Sequence, residues 1–169
     1  PSEAVTSGDQ TVRRAGCRYL PNGNPVDTPK YPSKLAWMDR LIAHAKMKLS
    51  LEEPCVLAGD YNVIPEPRDA ARPADWTEDA LFRLETLEKY RELTALGFTD
   101  AVRSFSQSDG VYTFWDYQAG AWQKNNGIRI DHILMSAQAT DRAIGCRIDK
   151  HVRGWEKPSD HVPVIVELE

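Results

Sequence analysis

The run Pro54-Cys55-Val56-Leu57-Ala58, closed by Gly59-Asp60-Tyr61-Asn62, constrains this chain more than any other stretch. It is a short continuous apolar run bounded by turn formers, which reads as a buried strand. Its C-terminal end delivers a carboxylate to a loop, and loops at strand ends on a rigid scaffold are where catalytic groups gather.

The periodicity on either side alternates between helix and strand. Thr11 to Leu20 reads as a strand entering the turn-rich Pro21-Asn22-Gly23-Asn24-Pro25. Leu35, Met38, Leu41 with Ile42, Ala45 and Leu49 fall at helical spacing, which predicts a helix over 33–49 with Ser33 as its N-cap. Pro65 to Asp79 reads as a surface loop rich in Pro and Asp. A second helix through Leu87, Tyr90, Leu93 and Leu96 stops at Gly97. Val111–Tyr117 and Ile128–Met135 read as two strands joined by a polar loop around Trp122 to Gly127, and Ser136 caps a short helix. Ile144–Val152 and Val162–Leu168 complete the strands. The sum is a mixed α/β fold, taken as one domain over residues 1–169.

Composition removes several classes of function. The net charge of -4 is too small for a disordered chain, and five Trp with six Tyr favour a packed core. No apolar run reaches the roughly 18 residues of a membrane span. Cys17, Cys55 and Cys146 are odd in number and far apart, which argues against a disulfide scaffold and a cysteine zinc site. A reducing, cytoplasmic setting is expected, with Cys55 buried. The sequence pI of about 5.6 argues against non-specific nucleic-acid coating, though not against a phosphodiester enzyme whose carboxylates a cation would offset.

The polar residues at strand ends are Tyr19, Asp60, Asn62, Asp131 and the loop Ser159-Asp160-His161. Three carboxylates, a His, an Asn and a Tyr, with no nucleophile elbow, suit metal-assisted attack of water on a phosphoester. Each also has a structural reading: Gly-Asp as turn chemistry, Asp131 as a partnered buried Asp, Asp160-His161 as a turn or helix start, Tyr19 as a strand aromatic. His132, inside an apolar strand, reads as a satisfied structural histidine.

In order along the chain, Tyr19-Leu20-Pro21-Asn22-Gly23, Gly59-Asp60-Tyr61-Asn62, Tyr112-Thr113-Phe114-Trp115-Asp116-Tyr117, Arg129-Ile130-Asp131-His132-Ile133-Leu134 and Lys157-Pro158-Ser159-Asp160-His161 resemble the exonuclease III type of AP endonuclease, in the endonuclease/exonuclease/phosphatase superfamily. The resemblance runs from about Arg14 to the C-terminus. It implies part of a DNase I-like four-layer α/β sandwich, two mixed sheets flanked by helices, with the N-terminal portion missing. It implies incision of duplex DNA 5′ of abasic sites and 3′→5′ exonuclease action, with Mg²⁺, or Mn²⁺ in its place, as cofactor.

By resemblance Asp60 activates water, Asn62 bonds the scissile phosphate and positions Asp60, and Tyr19 contacts that phosphate. Asp131 pairs with His161, and Asp60, Asn62 and Asp160 stand near the metal. Phe114, Ile128 and Ile130 fall where an apolar slot holds a base-less sugar, with Trp115 beside them; core packing is the alternative for each. The family's principal metal-ligating Glu and the first sheet have no counterpart here, so the remaining sheet is expected to lack its apolar partner, and Pro1 in place of Met reads as a broken start. Double-stranded DNA is the expected partner, with no membrane. The full-length family is expected to be monomeric, and a fragment has the alternative of dimerising. The alternative functions are a non-catalytic fold-half that dimerises or binds a protein, and a superfamily phosphoesterase with a non-DNA substrate.

Overall fold

A computed structural model describes the backbone of residues 14–169 and the side chains from Tyr19 onward. The expectations on Pro1, on residues 11–13 of the first strand and on the Cys17 side chain lie outside the described residues.

The predicted buried strand is present as β2 (Cys55–Asp60). It lies between β1 (Arg14–Tyr19), which runs parallel to it, and β4 (Asp131–Met135), which runs antiparallel; β3 (Thr99–Asp100) adds to the far side of β4. Alternation along β2 sends side chains to opposite faces. Cys55 and Leu57, with Leu134 of β4, pack against Met38, Leu41, Ile42 and Ala45 of α1 (Lys30–Leu49) and Tyr90 and Leu93 of α2 (Leu84–Ala95). Val56, Ile133 and Met135 pack on the other side against Ala101 of α3 (Ala101–Phe105) and Ala139 of α4 (Ala137–Thr140). Each fully buried Leu, Val or Ile contributes about 1.5–3 kcal/mol, so both faces of β2 are anchored.

The sheet does not lack an apolar partner on that second face. A second sheet, the antiparallel pair β5 (Ala143–Ile148) and β6 (Val164–Leu168), lays Val164, Val166 and Leu168 against it. These three are only partly buried.

Several local expectations change. Helix α1 starts at Lys30 rather than 33, with Pro29 at its N-cap, and Ser33 Oγ donates to Pro29 O at 2.8 Å instead of capping. Pro32 then falls in the first turn, where a missing N–H has no helical acceptor to disappoint. Helix α2 ends as expected before Gly97, whose φ of 114° suits only glycine. Ser136 caps α4 by accepting from Ala139 N.

Val111–Tyr117 is no strand. Its backbone bonds go to several segments: Phe114 bridges to Ile128 and His161, and Trp115 N donates to Asp160 O at 2.9 Å. Ile128–Ile130 likewise precede β4, with Arg129 N bonded to Asp69 O at 2.8 Å and the Thr113 hydroxyl accepting from Ile130 N and Asp131 N. β5 stops at Ile148 and gives way to a 3-10 turn over Lys150–Gly154. The segment from Pro65 to Asp79 is no plain surface loop, because two 3-10 turns fold it inward and Asp69 is fully buried.

Candidate active site

Strand register assembles the site. β1 sets Tyr19 beside Asp60, and β4 sets Asp131 directly opposite Asp60, so three predicted residues form one row across the ends of three strands. Tyr19 is 69% exposed, while Asp60 and Asp131 are half-buried.

Asn62 turns the chain just beyond the row. Its φ is 48°, a left-handed conformation that Asn tolerates better than most residues. The turn is held by its own side chain and neighbours. Asn62 N donates to Asp60 Oδ1 at 2.8 Å, and Nδ2 donates to Asp60 Oδ2 at 3.0 Å and to Leu20 O at 2.9 Å. Asn62 Oδ1 accepts from Asn22 Nδ2 at 3.1 Å. Both amide hydrogens are committed, so in this arrangement Asn62 orients Asp60, and a bond to phosphate would displace one of its present partners.

His161 Nδ1 donates to Asp131 Oδ2 at 2.9 Å. The imidazole stacks edge-on to Phe114, with ring centroids 5.0 Å apart, and its Nε2 has no hydrogen-bond partner among the described residues. Burial alone would lower the His161 pKa. The bond to Asp131 and the charges of Asp131, Asp60 and Asp160 outweigh it and hold the imidazole above its ordinary value. Asp60 is pushed up from the carboxylate range by burial and by the Asp131 charge, against the Asn62 N–H, His161 and Lys34. A carboxylate so raised is a better proton acceptor, and a raised imidazole pKa favours the cationic form that could clamp an anion.

The remaining expected residues divide. Phe114 stands at the site against His161. Ile128 and Ile130 are each 3% exposed and pack with Ile64, Ala80 and Leu81, so in this structure they are core. Trp115 has no exposed surface and packs against Tyr112 and Val162, which takes it out of the expected contact set. The reason is size: the bulkiest apolar side chain of its segment fills the space between that segment and the 3-10 turn, where Arg153 caps its carbonyl. His132 is the satisfied structural histidine expected. Its Nδ1 accepts from Arg129 Nη1 at 3.0 Å and its Nε2 donates to Val63 O at 2.9 Å, with burial lowering its pKa to about 4.

The donors do not make a Mg²⁺ shell by themselves. Asp60 already accepts a hydrogen bond on each oxygen, and Asn62 Oδ1 is taken by Asn22. Asp160 is placed on the neighbouring loop, its Oδ1 accepting from Ser159 Oγ at 3.4 Å. Among the described residues no three of His, Cys, Asp and Glu converge on one point, whereas Mg²⁺ takes about six oxygen ligands.

Two charged groups escaped the sequence reading. Lys34 is fully buried, and its Nζ donates to the backbone oxygens of Asn22, Asn62 and Ala80. It lies on the buried stripe Tyr31, Lys34, Met38, Leu41 and Ala45, so a charge on an apolar stripe was the available signal. Arg129, 1% exposed, forks onto Asp69 and reaches Asp100, tying the approach to β4 to the inward-folded loop.

The sequence profile of the Endonuclease/Exonuclease/phosphatase family matches residues 3–161. Exodeoxyribonuclease III of Haemophilus influenzae is 28% identical over 158 residues, covering 89% of this chain and 59% of that protein. The structure of an AP endonuclease from Archaeoglobus fulgidus superposes with a TM-score of 0.87 at 33% identity, over 92% of this chain and 61% of that one. A 3′ phosphatase from Neisseria, bound to a product DNA hairpin, superposes with a TM-score of 0.87 at 31% identity, over 92% of this chain and 60% of that one. The chain therefore spans less than two thirds of each relative's length. These superpositions bear out the expected fold, part of a DNase I-like α/β sandwich, and with it the resemblance to exonuclease III-type AP endonucleases. The profile runs through every strand-end residue of the site, from Tyr19 to His161, and the chain belongs to the endonuclease/exonuclease/phosphatase family.

Proposed function

We propose that this chain carries the phosphoester-cleaving edge of a DNA-repair nuclease, which hydrolyses duplex DNA 5′ of abasic sites and degrades strands from 3′ ends. The observation that carries the reading is the adjacency of two pairs. Asp60 is oriented by Asn62, and His161 is held by Asp131, on strands locked in register. In this reading Asp60 orients and deprotonates the attacking water, while the outward Nε2 of His161 and the Tyr19 hydroxyl hold phosphate oxygens as charge builds on them. The relatives' printed functions, an exodeoxyribonuclease, an AP endonuclease and a 3′ phosphatase with DNA product, support a DNA substrate. Dependence on Mg²⁺, or Mn²⁺, belongs to the same proposal, with donors beyond those the described residues supply. So does a reducing, cytoplasmic setting, the reading that three cysteines, odd in number and far apart in the sequence, support.

The test is cleavage of a labelled duplex carrying one abasic analogue, in Mg²⁺ and in EDTA. Product in Mg²⁺ alone is expected, with a loss of about 100-fold or more for Asp60→Asn and for His161→Ala. No Mg²⁺-dependent product at high protein concentration, or an Asp60→Asn variant as active as the parent, removes the proposal for this chain. A second reading, a fold-half that dimerises, draws on the second sheet, which among the described residues has only two strands and so unpaired edges. A stable dimer on size-exclusion chromatography supports it, and a folded monomer removes it.

A further inference from the structure

Lys34 is fully buried, and burial lowers its pKa to about 7 against the charges of Asp79 and Asp60. Its hydrogen-bond partners are three backbone carbonyls, a set that fits the three donors of the ammonium form. Its Nζ donates to Asn62 O at 2.6 Å, Asn22 O at 3.0 Å and Ala80 O at 3.0 Å, which uses all three of its hydrogens. The three oxygens belong to three separate segments: the loop after β1, the turn after β2, and the turn at Asp79–Leu81. Burying a cation is unfavourable, and an apolar side chain would fill the same space at lower cost to the fold.

Two of the three contacts are with residues of the Asp60 relay. Lys34 holds the carbonyl of Asn62, the residue at φ 48° whose backbone and side chain both bond Asp60. It also holds the carbonyl of Asn22, whose Nδ2 fixes Asn62 Oδ1. One side chain thus ties down the first two members of the chain Asn22, Asn62, Asp60. The neighbouring backbone accommodates it: a Cβ on Gly23 would come 2.7 Å from Lys34 Cδ.

We infer that Lys34 is a positioning residue for Asp60, acting through Asn62 from beneath the site. The inference rests on the proposed reading of Asp60 as the group that handles water. Its work is geometric: it sets the left-handed turn that aims the Asp60 carboxylate.

Lys34→Met keeps the length of the side chain and removes the donors. On the abasic duplex, kcat is expected to fall by about tenfold or more with KM within about twofold, the signature of a misaimed group. In an Asn62→Ala background the same substitution is expected to cost less than about twofold more, because the path it acts through is already gone. A second readout needs no activity: amide exchange at Asn62 is expected to accelerate at least about tenfold while Leu134 in β4 stays protected. Additive losses in the cycle, or unchanged exchange at Asn62, overturn the inference. Should the parent chain cleave nothing, the proposed function falls and the exchange measurement still decides Lys34. If Lys34→Met does not fold, Lys34→Gln, which keeps two N–H donors, takes its place; failure of both to fold overturns the inference, since Lys34 then serves the whole fold.

Discussion

Removing the Arg129 guanidinium should unfold this chain more readily than any change at the exposed rim of the site. Arg129 is 1% exposed and Asp69 fully buried. The guanidinium donates to Asp69 through Nε at 2.7 Å and Nη2 at 3.1 Å, and to Asp100 Oδ2 through Nη1 at 2.6 Å. Arg129→Met fills much of the volume and leaves the Asp69 carboxylate in the interior. Breaking a buried pair from one side costs about 3–5 kcal/mol. Asp69 keeps Arg103 and the Glu66 N–H, so the low end, about 3 kcal/mol, applies. With a urea slope near 2 kcal/mol/M the midpoint falls by about 1.5 M.

The pH dependence gives a second signature. Burial would raise the Asp69 pKa, but Arg129 and Arg103 outweigh it and hold the carboxyl below its ordinary value. Such a group contributes stability above its unfolded pKa and loses it as pH falls through the folded one. In the variant the folded pKa of Asp69 should rise toward or past the unfolded one, so its share of the acid loss should shrink or reverse. The assay is urea unfolding at pH 7 and at about pH 3, below the ordinary carboxylate pKa, followed by tryptophan fluorescence. A destabilisation under about 1 kcal/mol with an unchanged acid profile would refute the view that this pair joins the inward loop to β4.

Other outcomes follow from single sites. Stability should fall as pH drops from 6.5 towards 4, because His132 stays neutral in the fold while the unfolded chain takes up a proton; the full effect is about 3 kcal/mol, read from urea midpoints in a His132→Gln comparison. Trp115→Ala should cost about 3–5 kcal/mol in the same assay, as expected of a core residue and not of a substrate contact. Gly127→Ala would place a Cβ 2.6 Å from Trp115 Nε1, so a loss of about 1–3 kcal/mol is expected in thermal unfolding. Asp131→Asn removes the partner that holds the His161 pKa up, and an NMR titration should find its midpoint lower than in the parent; an unchanged midpoint would break the pairing argument.

What the sequence disclosed depended on how local the signal was. β2 and the helix ending at Gly97 were legible because an apolar run and a turn former are adjacent in the chain. The roles expected of Asp131 and His161 came from motif resemblance, and the structure joins the two across 30 residues by a hydrogen bond. Val111–Tyr117 looked like a strand because its aromatic content is strand-like, yet its backbone partners are scattered over Ile128, Asp160 and His161. Asp69 was hidden by its Pro- and Asp-rich surroundings, since the arginines that make its burial tolerable lie 34 and 60 residues away. Lys34 was hidden by the rule that lysines face water.

The ladder between β2 and β4 has a consequence for how a site of this kind could diversify. Asp60 and Asp131 are separated by a long excursion containing two 3-10 turns, α2, β3 and α3, yet their register is set by the pairing of five residues on each strand. Insertions or deletions within that excursion leave the two carboxylates where they are, provided neither strand slips. A slip of one residue would turn every side chain of β4 to the opposite face, taking Asp131 away from His161 and sending Leu134 out of its core. Within the excursion Asn62, Asp69, Thr113 and Phe114 support the two carboxylates or their partners, so the stretches between those positions could be reshaped without retuning the chemistry.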